Sequence, residues 1–190
     1  MERCPWGNAN EKMGHYHDTV WGVPERDDRM LFRKLILDLN QAGLSWQTIL
    51  NKMENFDRAY ENFVIENVAA FDEAKIASLL QDAGIIRNRR KIEAAVINAQ
   101  QALKVQAEFG SFADYLWGFV DFKPLDGKRQ TISEVPAKSE LSDRIAKDLK
   151  RHGFKFVGST TIYAFLQAVG IINDHLTTCF RYQEVKKLAN

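Results

Sequence analysis

Only two of the 190 residues are cysteine and four are proline, and the charges nearly cancel, with 26 Lys and Arg against 25 Asp and Glu. Two thiols exclude a disulfide-dense scaffold. A net charge of +1 excludes a polybasic or polyacidic chain, so attraction to a charged partner has to come from local clusters. No stretch approaches the roughly 20 apolar residues of a membrane span, and the opening M-E-R-C-P-W has no apolar leader core. The expectation is a cytoplasmic monomer with no membrane association. In that reducing setting two thiols serve better as metal ligands than as a disulfide. Repeats and low-complexity tracts are also missing. What is present is 45% hydrophobic, with 12 Phe, 5 Tyr and 4 Trp. That suffices for one domain with a sizeable core, or for two small lobes sharing an interface.

Apolar residues recur at a helical period almost throughout. Leu31, Phe32, Leu35, Ile36, Leu39 and Ala42 mark a helix from Asp28 to Gly43. Further helices are expected at about 72–83, stopped by Gly84, and at about 88–108. Ser111 should cap a short aromatic helix, and Ser139 one that ends at Gly153. An apolar helix follows over Ile162–Val169, while Pro124, Gly127 and Pro136 make 121–138 a surface loop. No alternating run demands a sheet. The fold class is all-α, built of many short helices.

Four features bear on chemistry. Cys4 precedes His17 by thirteen residues, and D-H-L-T-T-C sets His175 and Cys179 four apart. These spacings suit one closed, structural, tetrahedral zinc that ties the termini together, although ordinary buried cysteines and surface histidines would give the same pattern. In R-H-G-F-K-F-V-G-S-T-T (151–161), Gly153 and Gly158 bracket a four-residue turn between helices. Amides at the start of the second helix, with Lys150, Arg151 and Lys155 alongside, form a recipe for gripping a DNA backbone without reading its sequence. A glycine-stopped helix pair with solvated lysines is the alternative. In I-I-R-N-R-R-K (85–91), four cations stand against a helix dipole unless an anion such as phosphate neutralises them; a solvated basic face is the simpler account. Lastly, Asp38 lies about 20° from Leu31 on a helical wheel and so faces the core. A buried carboxylate needs partners or a cationic ligand. With Trp6, Tyr16, Trp21 and Trp46 it would form an aromatic cage suited to a flat cation. Core tryptophans, with Asp38 capping a helix or pairing with an arginine, fit the same residues.

The strings Y-H-D-T-V-W-G-V-P (16–24), Q-A-G-L-S-W (41–46), D-A-G-I-I-R (82–87), G-F-K-F-V-G-S-T-T (153–161) and N-D-H-L-T-T-C (173–179) resemble the 3-methyladenine DNA glycosylase I family, in one order over nearly the whole chain. The resemblance implies a helix–hairpin–helix glycosylase fold over a single domain, 1–190. A terminal lobe of about 1–30 and 160–190 would hold one structural zinc on Cys4, His17, His175 and Cys179, and a helical lobe of about 31–159 would carry the hairpin. It implies a base pocket with Asp38 and Tyr16 as catalytic residues and Trp46, Trp6 and Trp21 binding the base. Gly43 and Leu44 correspond to the loop entering the duplex, Leu44 as an apolar wedge behind a flipped base. Lys155, Phe156, Val157, Gly158 and Thr160 correspond to the hairpin's DNA contacts.

The implied activity is excision of N3-methyladenine from alkylated double-stranded DNA. Asp174, the only acid shortly after the hairpin, adjoins His175 and is assigned a structural role. No lysine is placed to argue for a Schiff base, so the glycosylase is expected to be monofunctional. The family usually carries glutamate where Asp38 stands, and an acid where Val20 stands. A charge-assisted bond lost through the shorter side chain would cost roughly 1.5–3 kcal/mol, so weak to moderate excision is expected. The alternatives are a protein of this fold that binds damaged DNA but cuts poorly and, more remotely, a zinc hydrolase.

Overall fold

In the computed structural model, which describes residues 2–188, polar caps set most of the helix starts. α1 (Glu11–Thr19) begins at Asn10, α2 (Asp28–Gln41) at Asp27 and α3 (Trp46–Asn51) at Ser45. α4 (Met53–Ala59) and α5 (Ile65–Ala69) flank a 3-10 turn. Asp72 caps α6 (Glu73–Leu79), Asn88 caps α7 (Arg89–Phe109) and Ser111 caps α8 (Phe112–Gly118). α9 (Glu140–Arg151) starts with a reciprocal capping box between Ser139 and Ser142. α10 (Ser159–Ala168) and α11 (Phe180–Leu188) complete the helices. In each of the seven side-chain caps the polar group satisfies an amide that the helix leaves open, worth about 1 kcal/mol apiece.

The structure shifts two of the expected elements. α6 ends at Leu79, well short of Gly84, whose amide is held at 2.7 Å by Asp82 in a separate turn. α10 starts at Ser159, directly after Gly158, as the spacing of the two glycines implies. Within the expected loop, β1 (Leu125–Asp126) pairs in parallel with β2 (Ile172–Asn173), Leu125 opposite Ile172. Two residues are too few for alternation to show.

α2 is the central helix. Leu31, Phe32, Leu35, Ile36, Leu37 and Leu39 are fully buried in one large apolar cluster shared with α7, α8 and α10. Both ends of α2 are pinned. Asp28 accepts the amides of Phe112 and Ala113 at 2.9 and 2.8 Å, so it caps α8 as well. At the other end, the Lys91 ammonium donates to the carbonyls of Asn40 and Ala42 at 2.8 and 2.7 Å. Asp38, one turn before that end, is therefore on a rigid support. A second, small cluster joins the termini: Cys4, Leu176 and Cys179, with Trp6 and Phe180 against them. Among the described residues, no helix is long and apolar enough to cross a membrane.

Candidate functional site

The termini meet in a buried group of Cys4, His17, His175 and Cys179, whose ligand atoms all lie within 4.8 Å of one another. His175 Nδ1 is 3.6 Å from Cys4 Sγ and 3.7 Å from Cys179 Sγ, and His17 Nε2 is 3.5 Å from Cys179 Sγ. A tetrahedral ion with bonds of about 2.0 Å to nitrogen and 2.3 Å to sulfur sets those atoms about 3.5 Å apart. The outer nitrogens are also taken. His17 Nδ1 donates to Asp18 at 2.8 Å, and His175 Nε2 donates to the Trp21 carbonyl at 3.0 Å. Both imidazoles thus turn a bare nitrogen inward, as ligation requires. Arg3 holds Asp18 through both carboxylate oxygens, and with His17 keeps its carboxyl well below the usual range, at about 2. Contact with the Cys4 thiol pulls the Cys179 thiol down against the effect of burial, and His17 and His175 add to the pull. The donor set and its supports fit a metal ion. Gly22, at φ +83°, is required here, since a Cβ would stand 2.9 Å from His175 Nε2.

Beside this group opens a cavity of about 310 Å³, within the usual range for small-molecule sites (roughly 300–1,000 Å³). It is lined by Trp6, Tyr16, Trp21, Asp38 and Trp46, the five residues that the sequence suggested as a cage. Tyr16 and Trp46 rings are 5.1 Å apart, Trp6 lies 6.2 Å from Tyr16, and Trp21 packs edgewise on Trp6 at 5.1 Å and on His175 at 4.6 Å. Tyr16 reaches the cavity because it precedes His17 on α1, and Trp46 because Ser45 starts α3 there. Asp38 is 4% exposed, as its wheel position requires. Burial raises its pKa against the opposing pull of Lys34, and burial with the nearby Asp38 pushes the Tyr16 hydroxyl well up.

The partner of Asp38 is neither an arginine nor a helix end. Lys34, one turn earlier on α2, pairs with Oδ1, and its ammonium lies 3.8 Å from the centre of the Trp46 ring. Asp38 Oδ2 and the Trp46 indole Nε1 stay buried with no partner. Lys34 was the residue missed from sequence. The only signal was its spacing from Asp38, which ordinarily marks an exposed pair. Other unanticipated walls are Met13, Gln41 and Gln167, with Ile132 and Val135 from the 121–138 segment. Asp174 also lines the cavity. Its carboxylate is held by Arg129 at 3.1 Å, Gln167 at 2.9 Å and the Tyr163 hydroxyl.

A smaller cavity of about 160 Å³, lined by Asp38, Gln41, Ala42, Thr160, Thr161 and Ala164, links this pocket to the start of α10. Gly43, at φ +78°, turns the chain after α2 and leaves Leu44 42% exposed. Across the turn between α9 and α10, Asn98 clamps the backbone, accepting the Lys155 amide at 2.7 Å and donating to its carbonyl at 3.0 Å. Lys155, Phe156 and Thr160 are exposed and Gly158 is half-buried. Val157 is 1% exposed and packs in the core, so its side chain is not available as the contact expected from sequence. Of the 85–91 cations, Lys91 is buried under α2 and Arg89 is paired with Glu73 and Glu93; Arg87 and Arg90 are exposed.

A family model described as methyladenine glycosylase matches residues 6–182. The chain belongs to the methyladenine glycosylase family. It is 44% identical to DNA-3-methyladenine glycosylase 1 of Escherichia coli, over 96% of this chain and 97% of that protein. It is 41% identical to the DNA-3-methyladenine glycosylase of Haemophilus influenzae, over 93% and 96% respectively. A crystal structure of 3-methyladenine DNA glycosylase I matches with a TM-score of 0.91 at 44% identity, covering 94% of this chain and 98% of that one. The Staphylococcus aureus enzyme, solved to explain its 3-methyladenine recognition, matches with a TM-score of 0.91 at 38% identity, covering 95% and 96%. The mostly helical fold expected from sequence is the fold of these glycosylases.

Proposed function

We propose that this chain is a monofunctional glycosylase that excises N3-methyladenine from alkylated duplex DNA. One observation carries the reading: an aromatic cavity of about 310 Å³ lined by Asp38 and Trp46, whose carboxylate Oδ2 and indole N–H are buried without partners. Such groups destabilise a protein unless a ligand takes them up. A flipped base stacks on Trp46 between Tyr16 and the Trp6–Trp21 pair, and its exocyclic amino group donates to Asp38 Oδ2. Alkylation at N3 makes the base cationic, so an electron-rich cage holds it more strongly than intact adenine.

The bond to be broken is weakened already. Water adds through oxygen to C1′ of the sugar and releases a proton to solvent. The C1′–N9 electron pair passes into the ring, and the base leaves neutral. The pocket therefore positions and discriminates, and asks little of a general base. Asp174 is fully engaged by Arg129, Gln167 and Tyr163 and serves the architecture of the wall. The DNA surface runs from Gly43 and Leu44 to the start of α10. Lys155, Phe156 and Thr160 contribute side chains there, and Val157 and Gly158 contribute main chain. The amides of 159–161 precede the first intrahelical bond, from Ile162 to the Gly158 carbonyl, and so can meet phosphate.

Zinc suits the Cys4, His17, His175 and Cys179 set, two thiolates and two imidazoles with no open position. When bound it supplies a structural cross-link and no reaction step. It fixes α1, and with it Tyr16, against the C-terminal segment. The test is incubation with methylated duplex DNA and measurement of free 3-methyladenine, beside Asp38→Glu. The expected result is release by the native chain above the spontaneous rate. Release by the variant alone would favour the reading of a damage-binding protein with an impaired pocket, and release by neither would end the proposal.

A further inference from the structure

Lys34 lies where a ligand of the cage would lie. Its ammonium is 3.8 Å from the centre of the Trp46 ring and 6.0 Å from that of Tyr16, it is paired with Asp38, and its side chain is only 12% exposed. The unpartnered Asp38 Oδ2 and Trp46 Nε1 show that this seat is incompletely satisfied with the lysine in it. Lys34 also lines a second cavity of about 340 Å³ on its other side, among Val20, Arg29, Met30, Arg33 and Asp57. Tyr16 stands between the two, lining both. A lysine stem is flexible, so its ammonium can change cavities with α2 unmoved. In the second cavity Asp57, already held by Arg33 at 2.6 and 2.9 Å, offers a carboxylate to receive it.

We propose that Lys34 is an internal competitor for the base pocket: its ammonium occupies the face of Trp46 when the pocket holds no base, and an entering base displaces it toward Asp57. This rests on the base-excision reading above. Entry is then an exchange. A base that donates hydrogen bonds to Asp38 and stacks on Trp46 restores what both lose when the ammonium leaves. Burial lowers the Lys34 pKa against the pull of Asp38, as expected of an ammonium held in a poorly solvated seat.

The test titrates free 3-methyladenine into the native chain and Lys34→Met, followed by tryptophan fluorescence, with thermal unfolding to establish that the variant folds. Without its competitor the variant should bind at least about tenfold more tightly, a change of about 1.4 kcal/mol. In the native chain, reductive methylation of Lys34, read by mass spectrometry, should become severalfold faster when the base is saturating. Equal or weaker binding by a folded variant would overturn the proposal. So would native Lys34 that reacts no faster, or becomes protected, in a complex that demonstrably forms. Should Lys34→Met not fold, the labelling of the native chain decides alone. If the native chain neither binds the base nor frees it from DNA, the base-excision reading falls as well; if it does both and Lys34 reactivity is unmoved, only the competitor falls.

Discussion

The two oxygens of Asp38 differ, one engaged by Lys34 and one buried without a partner in a residue that lines the cavity. Asp38→Asn keeps the shape and removes the charge. Loss of a charge-assisted bond to the base is expected to slow single-turnover release of 3-methyladenine by about 10–100-fold. An unchanged rate would remove Asp38 from the site. The inward orientation of Asp38 was legible because a wheel position depends only on helical geometry. Its partner was not. Lys34 and Asp38 have the spacing of an ordinary surface pair, and their burial arises because α1 and α3 meet over α2. The cage was legible as a set of residue types. Its being partly filled by an ammonium was not, since that depends on side-chain placement.

At the scale of elements, Lys91 shows how a charged run divides on folding. Part of what reads as one basic patch is structural, and Lys91→Met would leave the Asn40 and Ala42 carbonyls without their donor. The expected loss is about 1–3 kcal/mol in urea unfolding, with looser placement of Gly43 and Leu44. Asp126 ties β1 to α11 through the Tyr182 hydroxyl and Lys186, each at 2.9 Å. Burial pushes its carboxyl pKa up, but Lys186, Tyr182 and the Lys128 amide outweigh it, and the net direction is down. A folded pKa below the unfolded value gives stability that is present above the usual carboxylate range and is lost as pH falls through it. The stability difference between the native chain and Asp126→Asn should therefore shrink between about pH 5 and pH 3. A difference constant with pH would contradict the assignment. Apolar periodicity over 72–83 and 88–108, and the caps at Ser111 and Ser139, made α6, α7, α8 and α9 legible. α1, α3, α4, α5 and α11 were not located individually, having too few periodic positions.

For the whole molecule, the closure of the termini links fold to site. His17 belongs to the buried Cys/His group and neighbouring Tyr16 to the cavity, so one short helix carries both. Elemental analysis should find one zinc per chain. Chelation should lower the unfolding midpoint by roughly 5–15 °C, given about 2–4 °C per kcal/mol for a domain of this size. A midpoint insensitive to chelation would show that the clasp holds without metal. The grouping of Cys4, His17, His175 and Cys179 was legible from sequence, whereas the contacts of their imidazoles with Asp18 and the Trp21 carbonyl required the fold.

The central claim is that the base binds among Trp6, Trp21 and Trp46, and the fourth tryptophan supplies an internal control. Trp117 is fully buried in the main core and donates its indole N–H to the Glu25 carbonyl at 2.8 Å. The decisive measurement is a titration of the native chain with 3-methyladenine, followed by the four indole N–H resonances in a nitrogen-15 correlation spectrum. The Trp46 resonance should move most, because its N–H is buried without a partner and gains a new neighbour, and those of Trp6 and Trp21 should move with it. Trp117 should stay in place. Four unmoved resonances, or a shift confined to Trp117, would contradict the account.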